Sequence, residues 1–288
     1  MFQLNRFGPA RIIFASSFFI SISIIVVIFF FLITNSLPIF YLEGWDFLTG
    51  THWYVGEVYG ALPMIYVTVL VTLLALCFAF PLGLGTAIIA SEFLPERCRL
   101  IVKMVMELLA GIPGVVYGLL GIVLLTTTVQ RVFNLIDGNC ILTAGLLLGV
   151  MILPTIMTVS EDALRTVPKE YREQALALGL NHSEVVLTAV LPAAAKGILG
   201  AVLLSTSRAM GETISVMLVI GSLDRIPSPF FNIFTTAQTI TSKLGREASE
   251  ALGVGYHWNA LIGLALVLFI MSMGMAFIGD IIVVKEKR

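Results

Sequence analysis

The sequence predicts an all-α, polytopic membrane protein with six transmembrane helices, and two observations support that fold class. Of the 288 residues, 58% are hydrophobic and only 12% are charged, with a mean hydropathy of +0.99. Soluble domains contain about 25% charged residues, so this chain has too little charge to cover a water-facing surface. Six apolar segments also reach the roughly 20 residues that a helix needs to cross the hydrocarbon core. An ordinary soluble enzyme, a disordered protein and a secreted disulfide scaffold are therefore excluded.

The six predicted spans follow one another along the chain. The first carries no charge and is longer than the apolar core of a signal peptide, so we predict that it is a retained helix. The last carries Asp280 near its end. The predicted ranges are about Ile12–Thr34, Leu62–Ala90, Ile112–Val129, Ile141–Val159, Ala193–Ile220 and Ala260–Val284.

A segment just before the third span, Arg99–Ala110, is predicted to be a separate amphipathic helix. Arg99, Lys103 and Glu107 recur every four residues and form one polar stripe on an otherwise apolar helix. Such a helix suits the membrane surface, and Pro113 then fits the first turn of the third span. The alternative is one kinked helix that includes both segments; we prefer the break.

Positive charge orients the spans, because Lys and Arg concentrate in cytoplasmic segments. The segments on the N-terminal side of the membrane hold twelve of the 17 basic residues: Arg6, Arg11, Arg97, Arg99, Lys103, Arg165, Lys169, Arg172, Lys196, Lys285, Lys287 and Arg288. The opposite loops hold only Arg131, Arg225, Lys243 and Arg246. We therefore predict that both termini are cytoplasmic. We also divide the chain into an N-terminal helix with its extracytoplasmic loop, residues 1–61, and a main transmembrane domain, residues 62–288.

The main domain includes a long cytoplasmic loop, residues 161–192, which is predicted to form two short helices. Pro168 can open the first helix, Lys169–Leu178, and Gly179 fits the left-handed position that ends a helix. Asn181 or Ser183 can cap a second helix that stops before Pro192. Four apolar side chains would be exposed unless a partner or the membrane covered them: Ala175, Leu176, Leu178 and Leu180. The loop is therefore predicted to be a docking element for another protein.

The loop resembles the "EAA" loop of ABC-importer permeases, whose pattern is E-A-A-x3-G-x9-I-x-L-P. The matching positions are Glu173, Gln174, Ala175, Gly179, Leu191 and Pro192. Gln174 stands where the pattern has Ala, and Ala189 stands where it has Ile. The resemblance implies a MetI-like permease fold in which this loop couples to a groove of an ATP-binding subunit.

The fifth span contains Arg208 and Glu212 inside an otherwise apolar run. Each charge costs about 2.5–3.5 kcal/mol on insertion scales, and a spacing of four residues lets the two pair on one helix face. One interpretation is a neutralised pair that only fixes helix packing. The other is that Arg208 faces a pathway for an anionic solute while Glu212 holds its guanidinium. Arginine suits tetrahedral oxyanions because its planar fork donates two parallel hydrogen bonds.

Hydroxyl side chains near this pair are candidate additional donors: Ser205, Thr206, Ser207 and Thr213. The alternative for each hydroxyl is a hydrogen bond back to its own helix. The predicted pathway residues are Arg208, Glu212, Thr213 and Ser205. No catalytic constellation or metal-ligand cluster is recognised in the sequence.

Ser207–Val216 is similar to the signature G-R-A-x-G-E-T-M-A-V of phosphate ABC-transporter permeases. Glu107–Gly118 is similar to E-L-L-A-G-I-P-S-V-V-Y-G of the same family, with Gly114 in place of Ser. The resemblance runs from about Trp45 to Gly279, and the residues after the R-A-x-G-E-T core resemble the C-type of the two permease subunits. Two further segments also fit: Met151–Thr155 and Ala175–Gly179.

The resemblance implies a transport subunit, not an enzyme, in the cytoplasmic (inner) membrane of a prokaryote. The implied partners are an A-type permease subunit, a dimer of ATP-binding subunits, an extracytoplasmic phosphate-binding protein, phosphate and the lipid bilayer, but no nucleic acid. The chain lacks the G-x-x-x-x-G-K-[ST] loop that cradles nucleotide phosphates. No cofactor is therefore expected in this chain, and ATP and Mg are expected in the partner ATPase.

Three other functions stay open at the level of sequence. The same architecture could carry another oxyanion, such as molybdate or sulfate, because arginine alone does not separate these anions. An ATP-independent secondary transporter or channel would have no need of the Gly179 loop as an apolar docking element. A non-transporting membrane scaffold would leave the cost of Arg208 and Glu212 unexplained.

Overall fold

The computed structural model describes residues 8–253 and 255–285, with side chains for 13–253 and 255–279. That part of the chain is helical apart from loops and one small hairpin, as predicted. The helices are α1 (Gly8–Glu43), α2 (Asp46–Thr49), α3 (Leu62–Ile88), α4 (Glu96–Ala110), α5 (Gly114–Leu120), α6 (Thr127–Val132), α7 (Ile141–Thr166), α8 (Lys169–Ala177), α9 (His182–Val185), α10 (Leu191–Gly211), α11 (Ile214–Val219), α12 (Ile240–Ala251) and α13 (Gly255–Lys285).

Three π-helical turns modify this pattern. They extend α3, join α5 to α6, and join α9 to α10, and their ranges are Ile89–Phe93, Gly121–Thr126 and Val186–Val190. Strands β1 (Trp53–Tyr54) and β2 (Val58–Tyr59) pair antiparallel, with Trp53 opposite Tyr59.

Six continuous helical stretches are long and apolar enough to cross a membrane, which confirms the predicted number. They are Ile13–Glu43, Leu62–Phe93, Gly114–Val132, Ile141–Thr166, His182–Gly211 and Gly255–Gly279. The predicted break before the third span is also confirmed, because α4 ends at Ala110 and α5 begins at Gly114. The orientation of the termini and the division at residue 61 stay predictions. The side chains of Arg6, Arg11, Asp280, Lys285, Lys287 and Arg288 lie outside the described residues.

The fifth span differs from its prediction at both ends. The helix does not stop before Pro192, because the π-helical turn Val186–Val190 continues without interruption into α10. A π turn shifts the hydrogen-bond register just before the proline, which has no N–H to donate. At the other end α10 stops at Gly211, and the chain restarts as α11 after Glu212 and Thr213.

Helices α3 and α7 form the centre of the fold. Buried apolar side chains from both helices, including Val71, Ala75, Leu148 and Ile152, make the largest core cluster. Glycines let the two backbones approach, as is usual between membrane helices. At Gly83, for example, a Cβ atom would lie 2.9 Å from Cγ2 of Ile156.

The N-terminal helix packs along the last helix, α13. Its outer end and the following loop form a second core with α13, in which Ile39, Phe47 and Leu261 are buried. Most of its other apolar side chains are exposed, as expected of a helix that faces lipid; Phe14, for example, is 75% exposed. A third core cluster lies among α3, α7, the cytoplasmic loop and α10, and includes Leu164 and Val185.

We predict that Gly149→Leu weakens the packing of α3 against α7. A Cβ atom at Gly149 would lie 2.7 Å from Cδ1 of Phe78 and 3.2 Å from the carbonyl oxygen of Ala75. Overpacking a filled core costs about 1–3 kcal/mol, so the thermal unfolding midpoint in detergent should fall. Gly200→Leu is the matched control, because a Cβ atom there meets nothing within 4 Å. Equal midpoints for the two variants would contradict the close approach.

Candidate functional site

Arg208 lies in the last turn of α10, and its side chain is exposed. Its Nη1 donates to Oγ1 of Thr155 at 3.2 Å, and its Nη2 donates to the carbonyl oxygen of Ala110 at 3.4 Å. Both acceptors are neutral. Because a guanidinium has five N–H donors, three remain for a further acceptor that approaches from the exposed side. The arrangement can therefore bind an anion.

The expected pairing of Arg208 with Glu212 is wrong for this structure. The helix stops at Gly211, and Glu212 has extended backbone angles, with φ −71° and ψ 123°. A spacing of four residues stacks side chains only while the helix continues. Among the described residues no ion pair joins these two side chains. Among the side chains that the structure describes, the cation therefore has no carboxylate partner.

The Glu212 carboxylate lies instead at the start of α5. Its Oε1 accepts a hydrogen bond from Oγ of Ser215 at 2.7 Å, and a Cβ atom on Gly114 would come within 2.7 Å of the same oxygen. The carbonyl oxygen of Glu212 accepts from Oγ1 of Thr241 in α12 at 2.8 Å. Two helices distant in sequence therefore lie against this residue, α5 at its carboxylate and α12 at its backbone.

The other predicted pathway residues lie at different depths. Thr213 is half-buried, and its hydroxyl donates to the carbonyl oxygen of Gly211 at 3.3 Å. Ser205 is fully buried, and its Oγ has no hydrogen-bond partner in the described part of the chain. Thr206 bonds back to the carbonyl oxygen of Val202, the alternative considered for these hydroxyls. The structure does not bring Ser205 to the exposed guanidinium, and the pathway roles of Ser205 and Thr213 stay predictions.

The cytoplasmic loop forms two short helices, and its turn has the predicted geometry. Gly179 has a φ of +85°, the left-handed conformation, and Asn181 closes a capping box with Glu184 at the start of α9. Leu178 is 83% exposed at the turn. Ala175, expected to be exposed, is buried in the chain's own core instead.

The loop presents an exposed surface. Glu173 and Gln174 are exposed on α8, Leu191 is half-buried and Pro192 is exposed. An open hollow of about 820 Å³ lies between α8 and the start of α10. Its lining is largely apolar and includes Val167, Tyr171, Leu178, Leu180 and Pro192.

Comparison with known proteins matches residues 79–284 to a family described as "Binding-protein-dependent transport system inner membrane component". The chain belongs to this family. The predicted family and fold class are confirmed, and the protein is a multi-pass membrane permease.

Several curated relatives of this permease match over most of their length. The phosphate transport system permease protein PstC of Mesorhizobium japonicum is 37% identical over 249 residues, which are 80% of this chain and 75% of the relative. The probable ABC transporter permease protein YqgH of Bacillus subtilis is 35% identical over 91% of this chain and 86% of its own. PstC 1 of Mycobacterium tuberculosis is 34% identical over 82% of this chain and 81% of its own.

Solved structures agree on the fold. The inward-facing MetNI methionine ABC transporter aligns with a TM-score of 0.60 at 18% identity, over 77% of this chain and 94% of that one. A bacterial ABC transporter involved in the import of alginate aligns with a TM-score of 0.59 at 12% identity, over 95% and 98%. At these identities the likeness concerns the fold alone.

A partly buried ion pair that sequence reasoning missed holds α8 against the body of the permease. Arg172 donates from Nη2 to Oε1 of Glu92 at 2.7 Å and from Nε to Oε2 at 3.1 Å. The same guanidinium donates to the carbonyl oxygens of Leu164 and Val167. A ring nitrogen of His182 lies 3.0 Å from the carbonyl oxygen of Glu92. This set, which we call the Arg172–Glu92 clamp, ties both loop helices to the cytoplasmic ends of α3 and α7.

A second buried cluster joins α4 to α7. Glu161 is fully buried and lies 3.4 Å from Arg99 and 3.1 Å from Lys103. Lys103 also contacts Asp162 at 2.5 Å, and this hydrogen bond raises the pKa of Lys103. Two of the three residues of the polar stripe, Arg99 and Lys103, therefore have their charged groups against α7. They face the protein, because a buried carboxylate needs cationic partners, and only Glu107 is exposed.

We predict that Arg172→Met loosens the cytoplasmic loop. The substitution leaves the Glu92 carboxylate, whose side chain is 4% exposed, without its cation. Breaking a fully buried ion pair costs about 3–5 kcal/mol, and the cost here should be smaller because the Arg172 side chain is 22% exposed. A protease added on the cytoplasmic side should cut the loop faster than in the parent protein. Lys169→Met, an exposed position on the same helix, is the control. Equal cleavage rates in both variants would show that the clamp does not hold the loop.

Proposed function

We propose that this chain is a permease subunit of an ATP-driven importer of inorganic phosphate and forms half of its translocation pathway. The observation that carries the proposal is the Arg208 guanidinium, exposed near the end of a membrane-spanning helix and bonded to two neutral oxygens. Relatives named as phosphate transport system permeases, similar over most of the chain, support phosphate as the anion.

The chemistry of the guanidinium fits this substrate. Phosphate offers oxygens at the spacing of the arginine fork, so two parallel charge-assisted hydrogen bonds can form. The position of Arg208 in the last turn of α10 adds the favourable field of the helix C-terminus, which stabilises the cation without neutralising it.

The exposed side of Arg208 supports a second permease subunit as a partner. A charged group facing lipid is costly, whereas a second subunit that covers this face would enclose a polar pathway. The pathway in the proposal therefore lies between the two subunits, with Thr155 and Ala110 holding the guanidinium from this side.

The cytoplasmic loop supports an ATPase partner. Its turn exposes Leu178, Glu173 is exposed on the helix before the turn, and the Arg172–Glu92 clamp connects α8 to α7. Helix α7 also carries Thr155, about 11 residues or roughly 17 Å from its cytoplasmic end. In the proposal, nucleotide binding by a dimer of ATPase subunits moves the loop, and α7 carries the displacement to the pathway. An extracytoplasmic phosphate-binding protein delivers the anion to the outer loops, so ligand and nucleotide bias one two-state element.

We predict that Arg208→Ala lowers phosphate uptake by about ten- to a hundredfold, the range expected for losing hydrogen bonds to a charged group. Arg208→Lys should keep part of the activity, because lysine retains the charge but not the fork. The measurement is ATP-dependent uptake of labelled phosphate, sulfate and molybdate into vesicles that contain the complete complex. Arg97→Ala, at an exposed position on α4, is the control.

Three results of that assay would contradict the proposal. Unchanged uptake by a correctly inserted Arg208→Ala permease would remove Arg208 from the pathway. Uptake of sulfate or molybdate in place of phosphate would keep the architecture and reject the substrate. Uptake without ATP would reject the coupling loop.

We predict that Gly179→Val uncouples the permease from its ATPase, whereas Gly179→Asn does not. The φ of +85° strains a β-branched residue, but asparagine tolerates the left-handed region. The two substitutions differ in backbone strain and not in steric clashes, since a Cβ atom at Gly179 meets nothing within 4 Å. Copurification of the ATPase and transport-stimulated ATP hydrolysis should both fall in Gly179→Val. Wild-type values for that variant would show that the turn does not position the docking surface.

A further inference from the structure

Ser215 contacts residues at both helix breaks near Arg208, the one between α4 and α5 and the one between α10 and α11. It is fully buried at the start of α11. Its Oγ lies 2.7 Å from Oε1 of Glu212 and 2.9 Å from the carbonyl oxygen of Gly114, and its backbone nitrogen lies 3.4 Å from the same Oε1. One hydroxyl, which has a single proton to donate, thus lies between the acidic side chain and the first residue of α5.

The space around this contact is filled. A Cβ atom on Gly114 would lie 2.7 Å from Oε1 of Glu212 and 3.0 Å from Oγ of Ser215. One turn later, a Cβ atom on Gly118 would lie 3.0 Å from Cα of Ser215. Helices α5 and α11 therefore approach closely, and the room for a hydroxyl and a carboxylate exists only because residue 114 has no side chain.

We infer that Ser215, with Gly114 as the space that admits it, is the positioning residue that holds the Glu212 carboxylate against α5 and away from Arg208. Glu212 is only four residues from the guanidinium, so a released carboxylate could turn toward it and compete with an incoming anion. The backbone of Glu212 is fixed separately by Thr241, which leaves the side-chain direction to Ser215. The consequence for transport rests on the proposed function, but the contact itself does not.

The contact is tested first by stability. Ser215→Ala and Gly114→Ser should each lower the unfolding midpoint of the assembled complex by about 2–4 °C, the shift that roughly 1 kcal/mol produces in a chain of this size. The double variant should recover most of the loss, because its hydroxyl comes from residue 114. Ser272→Ala, which removes a hydroxyl bonded to its own helix, and Gly200→Ser, at an open position, are the controls. Additive losses in the double variant would show that a hydroxyl on residue 114 cannot replace the one on residue 215, and would overturn the inferred contact.

The positioning role is tested by transport kinetics. Ser215→Ala should raise the KM for phosphate about three- to tenfold with little change in maximal rate, the range for one lost hydrogen bond. The same substitution should have no further effect in a Glu212→Gln background, since the competing charge is then absent. An unchanged KM in a stably assembled Ser215→Ala complex, or an equal rise in both backgrounds, would overturn the inference. If Arg208→Ala transports phosphate normally while the stability recovery persists, the proposed function fails and the Ser215–Gly114 contact stands.

Discussion

The rest of this permease depends on one constraint: a membrane-spanning helix carries the Arg208 guanidinium, which has no carboxylate partner among the described side chains. Such a charge needs oxygen acceptors, and Arg208 finds them on two other elements, at Thr155 in α7 and at Ala110 where α4 ends. Helix α7 must therefore pack against α10, and α4 must stop at this depth. Glycines at the interface of α3 with α7 make the tight central packing possible.

Backbone groups at the helix breaks between α4 and α5 and between α10 and α11 have side-chain partners from other parts of the protein. A helix break within a membrane protein leaves backbone groups without helical hydrogen-bond partners, and these groups must be bonded inside the protein. The Arg208 guanidinium bonds the carbonyl oxygen of Ala110, the Ser215 hydroxyl lies by that of Gly114, and Thr241 bonds that of Glu212. The irregular backbone is thereby turned into a polar patch inside an apolar bundle. The same bonds keep an acid off the cation, which leaves the cation available to an anion.

The cytoplasmic end is held by charges that face inward. Glu161 on α7 is buried and pairs with Arg99 and Lys103 of α4, and the partly buried Glu92 after α3 pairs with Arg172 of α8. These pairs join α3, α4, α7 and the loop helices into one unit, so a force on the loop acts on the helix that contacts Arg208. Buried ion pairs are weak evidence for stability but lose much when one partner is removed. Their value here lies in fixing the geometry of the loop.

The sequence alone determined the six spans, the separate α4 and the left-handed turn at Gly179, and it narrowed the cap of α9 to Asn181 or Ser183, because apolar length, periodicity and turn chemistry are local properties. It also singled out Arg208 as a candidate, because a charge inside an apolar span is costly. Local patterns did not show where α10 begins or ends. The predicted stop before Pro192 was wrong because the helix continues through it, and the predicted Arg208–Glu212 pair was wrong because the helix ends at Gly211. The same limit hid Thr155, Ala110, Ser215 and the Arg172–Glu92 clamp. Thr155 and Ala110 lie 53 and 98 residues from Arg208, Gly114 lies 101 residues from Ser215, and Glu92 lies 80 residues from Arg172. Only the tertiary structure decided which oxygens meet each buried charge, because that choice depends on helix packing rather than on the neighbouring residues in the chain.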